Sequence, residues 1–316
     1  MVSSIFFDLV FPLILIGLLI IIILSGLPHR REKQDFMTLD DFIKDWIKDH
    51  GSEHKLDQYF LQMKKDPSGK IYMPITYRGA KLFIRLGLSP NKVSILNLLL
   101  SFLIFYAVII ASRGQLLDLF SQQPLYGLWF FFIGLLVLFT GIVDGIDGAI
   151  ARLLDIKSRS GGWFDNVIDR VSDTLILVCF IPSNMLIFPS FGGLDFRWIV
   201  WTNIIIIFIY EYMRARHEGL GLNETKPTIG ERIVRILVIA TFFFIYGSSS
   251  LTVFITALIS PSSVVIWNLS HTGVVTWTML IFQITLLIIM IISFIQSWNY
   301  IWKNLKKLDT NENNIK

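Results

Sequence analysis

Residues 141–173 read GIVDGIDGAIARLLDIKSRSGGWFDNVIDRVSD. This stretch begins near the end of one long apolar run, continues through a short polar segment and ends at the start of a second apolar run. It carries five carboxylates that lie at or near one edge of the expected bilayer: Asp144, Asp147, Asp165, Asp169 and Asp173. Carboxylates at membrane depth are costly and are functional by default. The stretch therefore marks the candidate site.

Helix geometry divides these carboxylates into two groups. Asp144 and Asp147 are three residues apart and share one helix face, whereas Asp165, Asp169 and Asp173 follow at intervals of four and share a face of the next helix. Two antiparallel helices joined by a tight loop can turn these faces toward each other. Converging carboxylates repel one another, and oxygen ligands without His or Cys favour Mg²⁺, Mn²⁺ or Ca²⁺ over zinc. The spacing predicts a divalent-metal site.

The remaining residues of the stretch favour a phosphate ligand. Gly148 and Gly161 leave room for close approach, and Arg152 offers a planar set of donors suited to phosphate. We therefore predict metal-dependent phosphoryl transfer at the cytoplasmic face. The alternative is a purely structural pairing of the carboxylates with Arg152, Arg159 and Arg170. Asp173 fits a structural and a functional role equally well.

Composition places the chain among polytopic membrane proteins. Of 316 residues, 53% are hydrophobic and only 16% are charged, against about 25% charged in soluble domains. Cys179 is the only cysteine, so an intrachain disulfide is excluded. The net charge of +4 is attributed to basic cytoplasmic loops that face anionic lipid, and no nucleic acid is expected as a partner.

Seven apolar segments approach the length that a membrane span requires. They are Ile5–Leu27, Val93–Ala111, Leu125–Val143, Ser172–Ile187, Trp198–Tyr212, Ile233–Leu258 and Val274–Trp302. All but two of the 28 Lys and Arg residues then fall on one side, in segments 28–92, 144–171, 213–235 and 303–316. This asymmetry predicts a multi-pass protein of the cell membrane with its N-terminus outside and its C-terminus and site cytoplasmic. The first span is interpreted as an uncleaved anchor.

The site residues resemble a known signature. Asp144, Asp147, Gly148, Ala151, Arg152, Gly161, Asp165 and Asp169 match D-x-x-D-G-x-x-A-R-x8-G-x3-D-x3-D, the signature of the CDP-alcohol phosphotransferases (CDP-alcohol phosphatidyltransferases). The resemblance covers about residues 80–305. The opening Ser89-Pro90-Asn91-Lys92-Val93-Ser94 is similar to the start of the family's first core span, with Ser94 in place of Thr.

The resemblance implies an all-α polytopic membrane protein with a six-helix core, and the first apolar run adds one extra N-terminal transmembrane helix outside that core. Composition and the resemblance together predict the division 1–27 anchor, 28–73 charged cytoplasmic linker, 74–305 core and 306–316 cytoplasmic tail. Within the linker, Leu39, Phe42, Ile43, Trp46 and Ile47 recur at helical spacing and predict a short amphipathic helix without chemistry of its own. Residues 74–90 predict a second helix on the membrane surface.

The resemblance also implies roles for individual residues. Asp144, Asp147, Asp165 and Asp169 would bind two Mg²⁺ or Mn²⁺ ions. Asn91, Gly148, Ala151, Arg152 and Gly161 would contact the CDP-lipid, which is CDP-diacylglycerol or CDP-archaeol. Asp169 would deprotonate the acceptor hydroxyl, which would attack the lipid phosphate and release CMP. A homodimer is implied as well.

A second basic cluster bears on the acceptor. Arg214 and Arg216 end one predicted span, and Arg232 and Arg235 begin the next on the same side. Four arginines there can hold a phosphorylated substrate, although plain positive-inside charge is an alternative. The cluster is similar to the inositol-phosphate branch of the family, with His217 interpreted as a surface residue. Inositol phosphate is therefore favoured as acceptor and glycerol 3-phosphate is the close alternative.

Three other classes of protein remain as alternatives. A transporter would place its charges near the midplane of the bilayer, and a non-catalytic scaffold would not need four aspartates. A prenyltransferase also uses aspartates with magnesium, but in another spacing.

Overall fold

The computed structural model describes residues 5–29, 35–49, 55–113, 115–116, 120–121, 125–183, 185–188, 192–220, 227–260 and 264–315. These residues are helical nearly throughout, which confirms the predicted all-α class. Numbered in chain order, the α-helices are α1 Phe11–Leu24, α2 Leu39–Asp49, α3 Leu56–Met63, α4 Met73–Arg85, α5 Pro90–Arg113, α6 Leu125–Leu153, α7 Arg159–Val178, α8 Trp198–Gly219, α9 Arg232–Ile259 and α10 Val264–Ile315.

Short elements occupy the connections between these helices. Five-residue π-helical turns, Phe6–Val10 and Ser68–Tyr72, precede α1 and α4. A three-residue 3₁₀ helix, Leu27–His29, follows α1. Two antiparallel pairs of two-residue strands are β1 Gln115–Leu116 with β2 Phe120–Ser121, and β3 Ile187–Phe188 with β4 Leu194–Asp195.

Five helices in the described part of the chain are long and apolar enough to cross a membrane. They are Phe6–His29, Pro90–Arg113, Gly127–Leu153, Arg232–Thr256 and Thr276–Thr310. They correspond to the first, second, third, sixth and seventh predicted spans. The other two predicted spans correspond to α7 and α8, which are helical but do not reach that apolar length. Helix α7 carries Asp165, Asp169 and Asp173, and α8 ends in charged residues.

The predicted bounds of the two spans that carry the signature are wrong. Helix α7 begins at Arg159 and ends at Val178, whereas the prediction ran from Ser172 to Ile187, a residue that lies in β3. Helix α6 continues past the predicted end at Val143 to Leu153. A prediction from runs of apolar residues identifies only the apolar part of a helix, whereas caps and turns define where the helix begins and ends. Both signature segments are therefore helical.

The apolar side chains form two buried clusters. The larger cluster joins the spans with aromatic residues, including Phe130, Phe180, Phe243 and Phe282. The second cluster lies where the first half of α5 meets the last half of α6, and it includes Val93 and Ile150. Large apolar side chains elsewhere stay exposed on the helix surfaces, as lipid-facing residues do.

The N-terminal segment packs onto the core. Helix α1 runs antiparallel to α5: Arg113 pairs with Asp8 at one end, and Lys92 Nζ donates to the Ser25 carbonyl at 3.0 Å at the other. The amphipathic helix predicted in the linker is confirmed as α2. Its residues Phe42 and Ile43 are 1% and 2% exposed because they pack against α4 and α6 within the second cluster. Helix α2 is therefore a fixed part of the bundle.

Candidate active site

A tight turn brings the two signature helices together. Helix α6 ends in a Schellman motif: the Ile156 amide donates to the Ala151 carbonyl at 3.0 Å, and Asp155 takes the left-handed conformation with φ of 52°. Helix α7 begins immediately afterwards, with the Ser158 hydroxyl accepting from the Gly161 amide at 3.1 Å. The turn therefore holds Asp144 and Asp147 at the same end of the bundle as Asp165 and Asp169.

Asp147 is fixed by the start of the first core span. Its side chain is 4% exposed, and its Oδ2 accepts a hydrogen bond from the Ser94 hydroxyl at 2.6 Å. Asn97, one turn further along α5, approaches Asp144 Oδ1 with its amide nitrogen at 3.5 Å. Ser94 stands where the similar family has Thr, and its hydroxyl thus still donates to the Asp147 carboxylate.

Arg232 lies among the carboxylates of both signature helices. Its guanidinium contacts Asp144 Oδ1, lies 2.5 Å from Asp169 Oδ1 and places Nε 3.0 Å from Asp173 Oδ1. A buried carboxylate needs a cationic partner, and Arg232 supplies it from the first turn of α9. The structure therefore places one of the four predicted acceptor arginines directly against Asp169.

The donor set fits a divalent metal in its chemistry. Asp165 Oδ1 is buried without a hydrogen-bond partner among the described residues, and Asp165 and Asp147 interact through their side chains. Oxygen donors of this kind suit Mg²⁺ or Mn²⁺. In the part of the chain that the structure describes, no three Asp, Glu, His or Cys side chains are grouped as a metal site, and Arg232 stands between Asp144 and Asp169.

Arg235 is the centre of a second buried network. Its Nη2 lies 2.8 Å from Asp173 Oδ2 and 2.9 Å from Glu211 Oε1, and its Nη1 donates to the Gly230 carbonyl at 2.8 Å. Arg170 contacts the same Glu211 at 3.0 Å. Asp173, left open between two roles by its sequence position, here holds arginines in place.

The other two predicted acceptor arginines are not brought into this cluster. Arg214 Nη1 lies 2.9 Å from Glu231 Oε2 and 3.1 Å from the Tyr210 hydroxyl. Arg216 is exposed at the end of α8. Of the four arginines, Arg232 and Arg235 thus contact the site carboxylates. Arg214 pairs with Glu231, and Arg216 lies at the surface.

The predicted CDP-lipid residues lie along the same end of α6 and α7. A Cβ added at Gly148 would meet Arg152 Nη1 at 3.1 Å, and one at Gly161 would lie 3.8 Å from Asn91 Oδ1. Ala151, which lies between these two glycines in the sequence, is half-buried. The two signature glycines therefore adjoin the two polar side chains predicted to bind this substrate, Arg152 and Asn91.

The sequence reasoning missed Tyr72 and Asp49. A Cβ at Gly145 would overlap the Tyr72 hydroxyl, so that hydroxyl stands beside Asp144. Burial raises the pKa of Tyr72, and the Asp144 carboxylate raises it further. Asp49, at the end of α2, accepts from Arg152 Nε at 2.8 Å. Both residues precede the family-like core, and no spacing in the sequence connects them to it.

His217 is buried, so its interpretation as a surface residue is wrong. It is 2% exposed and its ring lies 6.1 Å from the ring of Tyr300. Arg216, the preceding residue, is exposed. His217 is buried because the face of α8 that carries it packs against α10.

The fold and the site together define a helical integral membrane protein with a carboxylate and arginine centre at one end of its bundle. A family model described as CDP-alcohol phosphatidyltransferase matches residues 87–258, more than half of the chain. The chain belongs to this family, and it is a transferase of phospholipid biosynthesis.

The chain is similar to two curated synthases and to one solved structure. The chain is 27% identical over 192 residues to archaetidylinositol phosphate synthase of Pyrococcus horikoshii, which covers 60% of this chain and 87% of that protein. It is 29% identical over 185 residues to phosphatidylinositol phosphate synthase of Mycobacterium marinum, with coverages of 56% and 68%. A crystal structure of Mycobacterium tuberculosis phosphatidylinositol phosphate synthase in complex with manganese and citrate aligns with TM-score 0.48 at 20% identity, over 72% of this chain and 88% of that one.

Proposed function

We propose that this enzyme transfers a phosphatidyl-type group from a CDP-lipid to a phosphorylated acceptor, inositol phosphate, and releases CMP. The observation that carries the proposal is the contact between Asp169 and Arg232. A carboxylate able to accept a proton and a cation able to hold a phosphate lie 2.5 Å apart beside Asp144 of the signature. General-base and phosphate-binding groups are thereby adjacent.

The reaction needs few groups from the protein. Asp169 takes the proton of the acceptor hydroxyl, whose oxygen forms a bond to the lipid-side phosphorus while the bond from that phosphorus to the CMP oxygen breaks. Asp144, Asp147, Asp165 and Asp169 would hold two divalent ions, Mg²⁺ or Mn²⁺, which when bound neutralise charge on the phosphate oxygens. Asn91, Gly148, Ala151, Arg152 and Gly161 hold the CDP-lipid.

The names of the relatives support inositol phosphate as the acceptor, since both curated proteins above are inositol phosphate lipid synthases. Of the four arginines predicted to bind the acceptor, Arg214, Arg216, Arg232 and Arg235, the assignment to the acceptor phosphate is kept for Arg232, which lies against Asp169. Glycerol 3-phosphate remains the second candidate because its phosphate requires the same arginines. No motif in the sequence distinguishes diacyl from archaeol tails.

We also propose the orientation and assembly of the chain. The site lies at the end of the bundle that carries the basic segments, and this supports a site at the cytoplasmic face of the cell membrane. Asp8 and Arg113 pair at the opposite end, in agreement with an outside N-terminus. A homodimer is expected from the family alone.

CMP release by the purified protein tests the proposal. With Mg²⁺, CDP-diacylglycerol or CDP-archaeol and myo-inositol 1-phosphate, we expect CMP release that EDTA abolishes and added Mg²⁺ or Mn²⁺ restores. Glycerol 3-phosphate, serine and free inositol are assayed separately. Release with glycerol 3-phosphate alone would replace the acceptor assignment, and release with none of them from protein that binds CDP-lipid would refute it.

Replacing Arg232 with Ala tests the acceptor site. We expect the KM for the acceptor phosphate to rise by about tenfold, as loss of one charged phosphate contact implies, and the KM for CDP-lipid to change less. Arg197→Ala, which removes an exposed arginine paired with Asp195 far from the site, is the control. Equal increases in the two KM values would remove Arg232 from the acceptor site.

A further inference from the structure

The end of helix α2 holds the signature arginine. Asp49 Oδ2 accepts a hydrogen bond from Arg152 Nε at 2.8 Å, and the Arg152 side chain is only 14% exposed. Asp49 lies outside residues 87–258, which the family model matches. A segment that precedes the matched core thus contacts a residue of the signature itself.

The contact uses one particular edge of the guanidinium. An arginine has five N–H donors, and Asp49 takes the one on Nε. The terminal Nη1 adjoins Gly148, since a Cβ there would meet it at 3.1 Å. Asp49 therefore leaves the terminal nitrogens directed along the signature, where the CDP-lipid is proposed to bind.

Asp49 is itself held firmly. Lys157 Nζ donates to Asp49 Oδ1 at 3.0 Å and to Asp45 Oδ2 at 2.6 Å, which ties α2 to the turn between the signature helices. The opposite face of α2 is buried through Phe42, Ile43 and Ile47. A long arginine side chain beside such a fixed carboxylate loses much of its rotamer freedom before substrate arrives.

The charge state of Asp49 agrees with this role. Partial burial acts to raise the pKa of Asp49, but the Lys157 hydrogen bond and the Arg152 charge outweigh it and hold the pKa below its ordinary value. Asp49 is therefore ionised at neutral pH and attracts Arg152.

We propose that Asp49 is a positioning residue, through which helix α2 orients Arg152 so that its terminal guanidinium nitrogens face the phosphates of the CDP-lipid. The inference rests on the proposed function, because it takes Arg152 as a CDP-lipid contact. It gives the segment before the core, predicted as a linker without chemistry, a part in substrate binding.

Steady-state kinetics of Asp49→Asn test the proposal. We expect the KM for CDP-lipid to rise on the order of tenfold, as loss of one charge-assisted contact implies, with kcat and the acceptor KM within about twofold of the parent. Asp49→Glu keeps the charge and is expected to restore most of the affinity. The matched control is Asp40→Asn, the same change at the other end of α2, where Asp40 pairs with Lys64.

A double-mutant cycle separates positioning from general support of the fold. With Arg152→Ala already present, Asp49→Asn should raise the CDP-lipid KM no further, because the residue it orients is absent. Additive effects would overturn the proposal, as would an unchanged or lower KM in Asp49→Asn or a parallel loss in the Asp40→Asn control.

The same cycle distinguishes a failure of the Asp49 inference from a failure of the proposed function. If Arg152→Ala raises the CDP-lipid KM and Asp49→Asn does not, the inference fails and the proposed function stands. If Arg152→Ala leaves that KM unchanged, the assignment of Arg152 fails and the inference fails with it.

Discussion

Asp169→Asn is expected to lower kcat by about 10²–10⁴-fold, the range that a positioned general base contributes. Asn has nearly the same shape as Asp but cannot take the proton of the acceptor hydroxyl. Its amide can still lie near Arg232, so the affinity for CDP-lipid should stay close to that of the parent. CMP release under saturating substrates measures the first effect, and CDP-lipid binding measures the second.

Asp155→Asn is the matched control for this variant. Asp155 is exposed in the turn between α6 and α7 and has a φ of 52°, a conformation that Asn accepts as readily as Asp. We expect this control to keep its activity. If Asp169→Asn retains more than about one hundredth of the parent's kcat, a smaller loss than that range allows, the assignment of Asp169 as base is wrong.

Arg235→Met is expected to destabilise the protein by about 3–5 kcal/mol, the usual cost of removing one partner from a buried ion pair. Arg235 has a 4% exposed side chain and holds both Asp173 and Glu211. Met preserves much of its volume but leaves two carboxylates facing each other without that cation. Equilibrium unfolding in detergent measures the change.

The control for Arg235→Met is the same substitution in an exposed pair. Arg197→Met removes the contact with Asp195, whose partners are 34% and 43% exposed, and such pairs contribute about 1 kcal/mol or less. A loss in Arg235→Met no larger than in Arg197→Met would contradict the network described here. The double variant Arg235→Met with Glu211→Gln should recover part of the loss, because it removes one of the two carboxylates that Arg235 no longer neutralises.

The helical class and the candidate site follow closely from the sequence. Apolar runs and the asymmetry of Lys and Arg identify a multi-pass membrane protein because both are set by local composition. The signature from Asp144 to Asp169 is also local: its residues occupy two helices and one turn. The bounds of α7 could not be obtained in the same way, because the polar first turns of that helix lie outside any apolar window.

Contacts between distant segments could not be predicted. Arg232 is 88 residues from Asp144, and Asp49 is 103 residues from Arg152. No periodicity links such pairs, since each contact depends on how the helices pack and on the rotamers that the packing permits. The burial of His217 is of the same kind, because the face of α8 that meets α10 is set by the bundle.

The sequence by itself determined the membrane class, the family signature and the residue types available for catalysis, because spacing along a helix fixes which residues share a face. Only the tertiary structure decided which cation meets which carboxylate. It placed Arg232 on Asp169, Arg235 on Asp173 and Asp49 on Arg152. The physical reason is that a buried charge must find its partner across the bundle, and helix packing selects that partner.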